Sequence, residues 1–532
     1  MKKYYVHLLL TLFMTCLFSG RSLSQSNLPQ DYLSKEFHAG RREALRKLMP
    51  ANSATVLFAY PLEVFSKDIN YAYHPSPDLY YFSGYKETSA VLVVFKEMQH
   101  DADGDYNELF FVQQRNPSEE QWTGRRLGIE GVKSQLGFKR VYNSNEFAKF
   151  PIDLKKFKLL HDIIPNKAGN MDGLYRAFTE KSGVNPVDEE LLNDLVTINA
   201  RVTPRNITVA IDRVIAPKLA LEAYKNNSLI QDLYSHPDST GLAAFKAGYQ
   251  AQYGGISDFN LFTDELRGIK TKEELELLRK SIKLSGIAHA EVMRAIKPAM
   301  SESELEGVFA YVHKKYGAED EGYPPIVGAG ANGCILHYIE NNVTTVNNQL
   351  VLMDVGAEYH GYSADITRTI PANGKFTEEQ KVIYQLVYEA QEEVFKLCKE
   401  GVPFGDLNKK AQAVLAAGLI KLGIIKQIDE LRAYYPHGCS HHLGLDVHDK
   451  GSYGPLMENM VITVEPGIYI PEGSPCDKKW WNIAVRIEDD VVIGKDKCTI
   501  LSLDSPRKWD EIEKLISEKS FLDAVKLPGL DR

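Results

Sequence analysis

The twenty residues Leu350–Thr369, LVLMDVGAEYHGYSADITRT, have the pattern of a β-hairpin with two acids in it. Leu350 to Val355 reads as one strand and Tyr362 to Ile370 as a second, with Gly361 as turn punctuation between them. A turn centred on Tyr359-His360 places Asp354 directly opposite Asp365; one centred on His360-Gly361 makes the two diagonal neighbours. Both registers keep them on one face, because strand side chains alternate with period two. Carboxylates that close repel, and one is forced neutral unless positive charge lies between them.

Outward from the hairpin, further polar residues stand in small-residue or strand-end settings. On the amino-terminal side, IVGAGANGCILHY (Ile326 to Tyr338) reads as a glycine-rich turn leading into a strand that ends at His337. On the other side, Thr377 with Gln380 caps a helix running to about Glu400, and Asp406 to Leu422 reads as another. HGCSHHLGLDVHD follows, with His437, His441, His442 and His448 close together. One histidine alone would read as a satisfied polar residue; four among glycines and small residues point to a site. Met460 to Val464 is a strand that Pro466 stops, leaving Glu465 at its end. Asn482 to Val492 reads as one strand, with Ile483, Val485 and Ile487 facing one way and Arg486 and Glu488 the other. Two aspartates, two glutamates and an imidazole can converge on divalent cations, and four carboxylates neutralise two of them. Oxygen-rich ligation favours manganese-like hard metals, and two such ions activate water for hydrolysis.

These motifs resemble those of the pita-bread metallopeptidases, and the resemblance to the aminopeptidase P family covers most of the chain. It includes DLYYFSGY (Asp78 to Tyr85) and WTGRRLG (Trp122 to Gly128) in the first block. The resemblance implies an α+β pita-bread catalytic domain preceded by an α/β aminopeptidase P-type amino-terminal domain. It implies two divalent ions, most simply Mn2+, with Zn2+ or Co2+ as alternatives. Asp354 would hold one ion, Asp365 and Glu488 would bridge both, and His441 and Glu465 would complete the second site. A bridging hydroxide would attack the scissile carbonyl, with Glu465 as proton acceptor. His337 and His448 would stabilise the tetrahedral intermediate, while His437 and Arg486 would position substrate. The implied substrates are peptides with proline second, and the implied assembly is a homo-oligomer. An Xaa-Pro dipeptidase shares the constellation, and a non-catalytic peptide-binding relative is the rival of another class. Three residues depart from the family pattern: His442 stands where relatives often carry a large aromatic, Cys439 where they carry leucine, and Lys450 where they carry an apolar residue.

Composition agrees with an enzyme of this size. The chain has 532 residues, 44% of them hydrophobic, and a net charge of −9 that argues against a nucleic-acid partner. Lys2, Lys3 and the apolar run Leu8 to Phe18 read as a signal peptide ending at Ser24, hence an exported, periplasmic or secreted protein that keeps no membrane segment after cleavage. Residues 30–262 are expected to form the amino-terminal domain with an extended linker region, 268–505 the catalytic domain and 506–532 a tail. Within the first block a basic helix, three buried strands and the aromatic cluster Tyr71, Tyr73, Tyr80, Tyr81, Phe82 and Tyr85 are expected. Residues 231–254 read as loop-rich with a weak helical signal. Cys334, Cys398, Cys439, Cys476 and Cys498 read as free thiols, with Cys476 and Cys498 the pair closing a short loop if one oxidises.

Overall fold

In a computed structural model the hairpin forms with its turn at His360-Gly361. Both residues have positive φ, 52° and 87°, the geometry of a turn whose twist matches the flanking strands. Tyr359 therefore pairs with Tyr362, Glu358 with Ser363 and Asp354 with Thr367. Of the two registers, this is the one that leaves Asp354 and Asp365 diagonal. Each arm is also interrupted. Leu350–Asp354 pairs with Thr367–Pro371, whereas Ala357–Tyr359 pairs with Tyr362–Ser363 in a separate sheet that includes Asp320–Glu321. The break falls where the Gly356 backbone lies against the Ala364 carbonyl, too close for any Cβ. Asp365 sits in that break, its amide donating to Asp490 Oδ2 at 3.0 Å.

The structure describes residues 29, 31–161, 172–184, 188–525 and 527; the expected signal peptide lies outside them. The described residues from Lys35 onward form one compact unit. Its first part carries a mixed five-stranded sheet in the order Val141–Asn143, Gly104–Val112, Val91–Asp101, Ser53–Phe58, Lys158–His161. Helix Lys35–Leu48 lies against it, Arg42 and Arg46 both binding Glu108 at 2.8 Å. Tyr80, Tyr81, Phe82 and Tyr85 are buried, whereas Tyr71 is exposed. Two of these rings reach beyond their own sheet: Tyr81 donates its hydroxyl to Leu266 O at 2.7 Å, and Tyr80 to His360 O at 3.0 Å, at the hairpin turn.

Residues 189–268 are helical, including Glu189–Arg201, Ser228–Ser235 and the thirty-residue Ser239–Gly268, with a core of Leu195, Ile198, Ile230, Phe245 and Tyr249. The expected loop at 231–254 is thus mostly helix. Its glycines lower helix propensity, yet Gly255 stands where the helix meets the Leu159 carbonyl too closely for a side chain.

The second part packs helices Lys272–Ala295, Glu302–Lys315, Glu378–Phe395 and Gly405–Lys421 on short antiparallel strands, around Met353, Ile370, Val387, Val464 and Val485. Both Thr271 with Glu274 and Thr377 with Gln380 form reciprocal capping boxes. Three expectations are corrected. His337 lies in a turn after the 3-10 segment Gly330–Cys334 rather than at a strand end. Asn482 to Val492 is two strands, Ile483–Arg486 and Asp489–Val492, in different sheets; Glu488 lies at the break, its amide donating to Thr367 O. The presumed tail contains helix Trp509–Ile516, whose Ile512 and Ile516 complete the core. The five cysteines are free. Cys498 lies in hydrogen-bond contact with the Cys398 thiol, whereas Cys476 faces Tyr434.

Candidate metal centre and active site

The ends and breaks of these strands face one cleft of about 290 Å³, lined by His337, Asp354, Asp365, His437, His441, His448, Glu465, Arg486 and Glu488. Asp354 ends the first hairpin strand, Asp365 and Glu488 lie at strand interruptions, and Glu465 follows the strand Val461–Val464. At such places a side chain is set by the sheet while its backbone is released from the ladder. All nine residues singled out in the sequence are brought together. His442 is not among the lining residues. Its buried ring packs near Phe404 and Tyr453, with centroids 5.4 and 5.1 Å away, and Nε2 reaches Ser452 O at 3.0 Å. Cys439 is buried in the core as a small apolar residue.

Charge is unbalanced in the cleft. Asp365 and Glu488 are both held well above the usual carboxylate range, Asp365 by burial and then by Asp354, Glu488 by burial and then by Asp365. Burial lifts Glu465 to about 7 even with His441 and Arg486 opposing. The fixed positive charge is Arg486, whose Nη2 donates to Asp354 Oδ2 at 2.6 Å and Nη1 to the Tyr469 hydroxyl at 2.8 Å. His437 Nδ1 faces Gly438 O at 2.7 Å, which can only accept, so Nε2 accepts from Tyr469 at 2.8 Å. A directed chain thus runs from Asp354 through Arg486 and Tyr469 to His437. Burial, then Arg486, lowers His437 to about 4, keeping the ring neutral.

Divalent ions fit this donor set. Ligand atoms of Asp365, His441 and Glu488 lie within 4.8 Å of one another. With Nδ1 donating to the His442 carbonyl at 2.9 Å, the His441 ring turns Nε2 toward Asp365 Oδ2 at 3.3 Å and Glu465 Oε1 at 3.6 Å. In the deprotonated form that binds metal, this Nε2 needs a cation between it and the two acids, and a carbonyl on the other nitrogen is the usual way a metal-binding imidazole is fixed.

Sequence reading missed Tyr323. Its hydroxyl lies 2.5 Å from Asp354 Oδ1 and 2.7 Å from Asp365 Oδ1, a single proton between two carboxylates. Burial and these acids push its own ionisation well up, so it stays a donor. Preceding Pro324-Pro325, it carries no spacing signal.

Comparison with known proteins places the architecture. The pattern of the aminopeptidase P amino-terminal domain matches residues 38–158, and that of metallopeptidase family M24 matches 276–495. Escherichia coli Xaa-Pro aminopeptidase is 33% identical over 497 residues, covering 91% of this chain and 98% of its own. The chain belongs to metallopeptidase family M24, in its aminopeptidase P branch. Solved structures of E. coli aminopeptidase P agree with the pita-bread fold. One with the inhibitor Pro-Leu has a TM-score of 0.71, and a zinc-substituted one with product has 0.70; each is 30% identical and covers 91% of this chain and 98% of its own. As a metallopeptidase of this branch, the chain is an aminopeptidase whose family works with divalent metal ions.

Proposed function

We propose that this metallopeptidase releases the amino-terminal residue from peptides with proline second, using two divalent ions, Mn2+ before Zn2+ or Co2+. The observation that carries the reading is four carboxylates and a tautomer-fixed imidazole converging on one cleft with too little positive charge of their own. Asp354 would hold one ion, Asp365 and Glu488 both, and His441 with Glu465 the other. Such ions, when bound, offset the acids' repulsion, polarise a carbonyl and bring the pKa of water toward neutrality. The chain supplies the rest. Glu465, at the end of its strand in the cleft, takes up the proton released in attack. His337 and His448, both solvent-facing in the cleft, donate to the oxygen on which charge develops. Arg486 orients Asp354 through the bond from Nη2, while His437 lines the substrate side.

A prolyl amide has no N–H and a fixed φ, so an enzyme for it cannot rely on a backbone donor from that residue. The Pro-Leu inhibitor of the E. coli structure supports proline recognition, and oxygen-rich ligation supports manganese. Export is proposed from the amino-terminal residues, and no helix among the described residues is long and apolar enough to cross a membrane. Homo-oligomer formation is supported by exposed Val64, Phe65, Ile69 and Tyr71 on and beside one hairpin, with Phe65 edge-on to Tyr71, and light scattering reads it directly. The test of substrate class compares Xaa-Pro, Xaa-Pro-Xaa and Xaa-Ala-Xaa peptides. Cleavage confined to Xaa-Pro-Xaa is expected; cleavage of the dipeptide alone would make the protein a dipeptidase.

A further inference from the structure

Lys450, one of the three departures from the family pattern, stands two residues after His448 in a loop without regular structure. Three acids and three cations fasten that loop. Asp449 accepts from Lys270 Nζ at 2.8 Å and from Arg267, and Asp446 accepts from Arg267 Nη2 at 2.7 Å. Arg267 Nη1 donates to Asp78 Oδ1 at 2.7 Å, and Lys450 Nζ reaches Asp78 Oδ2 at 2.8 Å and Asn260 Oδ1 at 3.2 Å, lying over the Phe259 ring. The Arg267, Asp449 and Lys270 side chains are at most 2% exposed and Asp78 6%, whereas Lys450 at 21% is on the rim. Asp78 belongs to helix Pro77–Ser83 of the amino-terminal part, and Arg267 to the end of Ser239–Gly268. Burial works against an ionised Asp78, yet Lys450 and Arg267 carry it down to about 2.

We propose that this clamp is a positioning device for His448, through which the docked amino-terminal domain sets where that imidazole meets the substrate. Arg267 holds the loop by Asp446 and Asp449, and Lys450 adds a second tie to Asp78 that an apolar residue there would lack. Arg267, Asp78 and Lys450 are positioning residues, and the inference rests on His448 acting on substrate as read above.

The experiment is a mutant cycle on a proline-second tripeptide. Lys450→Met is expected to lower kcat about tenfold, since small displacements of a catalytic group are costly, with KM and bound metal unchanged and activity regained in Lys450→Arg. Asp78→Asn should act in the same direction; should it fail to fold, the rim variant decides alone. In a His448→Ala background, Lys450→Met should cost nothing further, because two groups acting through one imidazole are not additive. An equal loss in both backgrounds, or unchanged kcat in folded Lys450→Met, overturns the proposal. Full activity of His448→Ala overturns the reading of His448 beneath it.

Discussion

Asp365 is held where no carboxylate would settle alone, within reach of Asp354, Glu465 and Glu488. The expected result of Asp365→Asn is therefore asymmetric. Activity should fall by several orders of magnitude with loss of bound metal, while the ion-free variant melts no lower than wild type, since a repulsive charge has gone; calorimetry with metal analysis reads both. The same cluster fixes a pH dependence. Glu465 rises from the ordinary 4.5 to about 7, so the ion-free folded chain keeps a proton that the unfolded chain releases, and its stability declines as pH rises through that window. Bound ions require the deprotonated form. The gap in Tm between Mn2+-loaded and ion-free protein should accordingly widen from pH 4.5 to 7, the buried histidines outside the site cancelling in the difference; a gap that narrows would contradict the assignment. The acids and the histidine cluster were legible in the sequence because few residue types can hold a cation, and the choice of His441 within that cluster came from the family resemblance. Tyr323 was not, because a tyrosine acts there through position alone, and Lys450 was visible only as an exception.

At the level of the element, the hairpin works by being broken. Period-two alternation showed that it exists and which face its acids share, but two turns fitted it equally, and only the positive φ of His360 and Gly361 selects one. Nothing in the alternation marks the interruption at Gly356, where closeness to the Ala364 carbonyl frees Asp365 from the ladder. Gly356→Ala should destabilise the fold by about 1–3 kcal/mol through forced overpacking and reduce bound metal more than its stability loss explains; urea unfolding and metal content measure the two. The strand at Ile483 to Val492 repeats the lesson. Its apolar alternation continues through Glu488 while the backbone changes sheets, so the pattern gave the residues that line up but not the break that presents the acid.

For the whole molecule, α+β architecture and a site-bearing carboxy-terminal half followed from capping boxes, short strands and clustered acids and histidines. The helical region at 189–268 was hidden by its own packing. Gly241 and Gly255 lower helix propensity, and both stand where a neighbouring carbonyl leaves no room for a side chain. Closeness to a carbonyl, local at His236 for Gly241 and distant at Leu159 for Gly255, leaves no periodic trace. The same is true of the Asp78, Arg267 and Asp449 ties, which join residues far apart in the chain and seat the amino-terminal part beside the cleft. What these parts jointly present is a cleft built for ions that the chain's own charges do not replace. The direct measurement is to strip the protein with a chelator and return Mn2+ while recording bound metal and release of the first residue from a proline-second tripeptide. Turnover should be absent in the stripped protein and return in step with roughly two ions per chain; undiminished turnover without metal would contradict it.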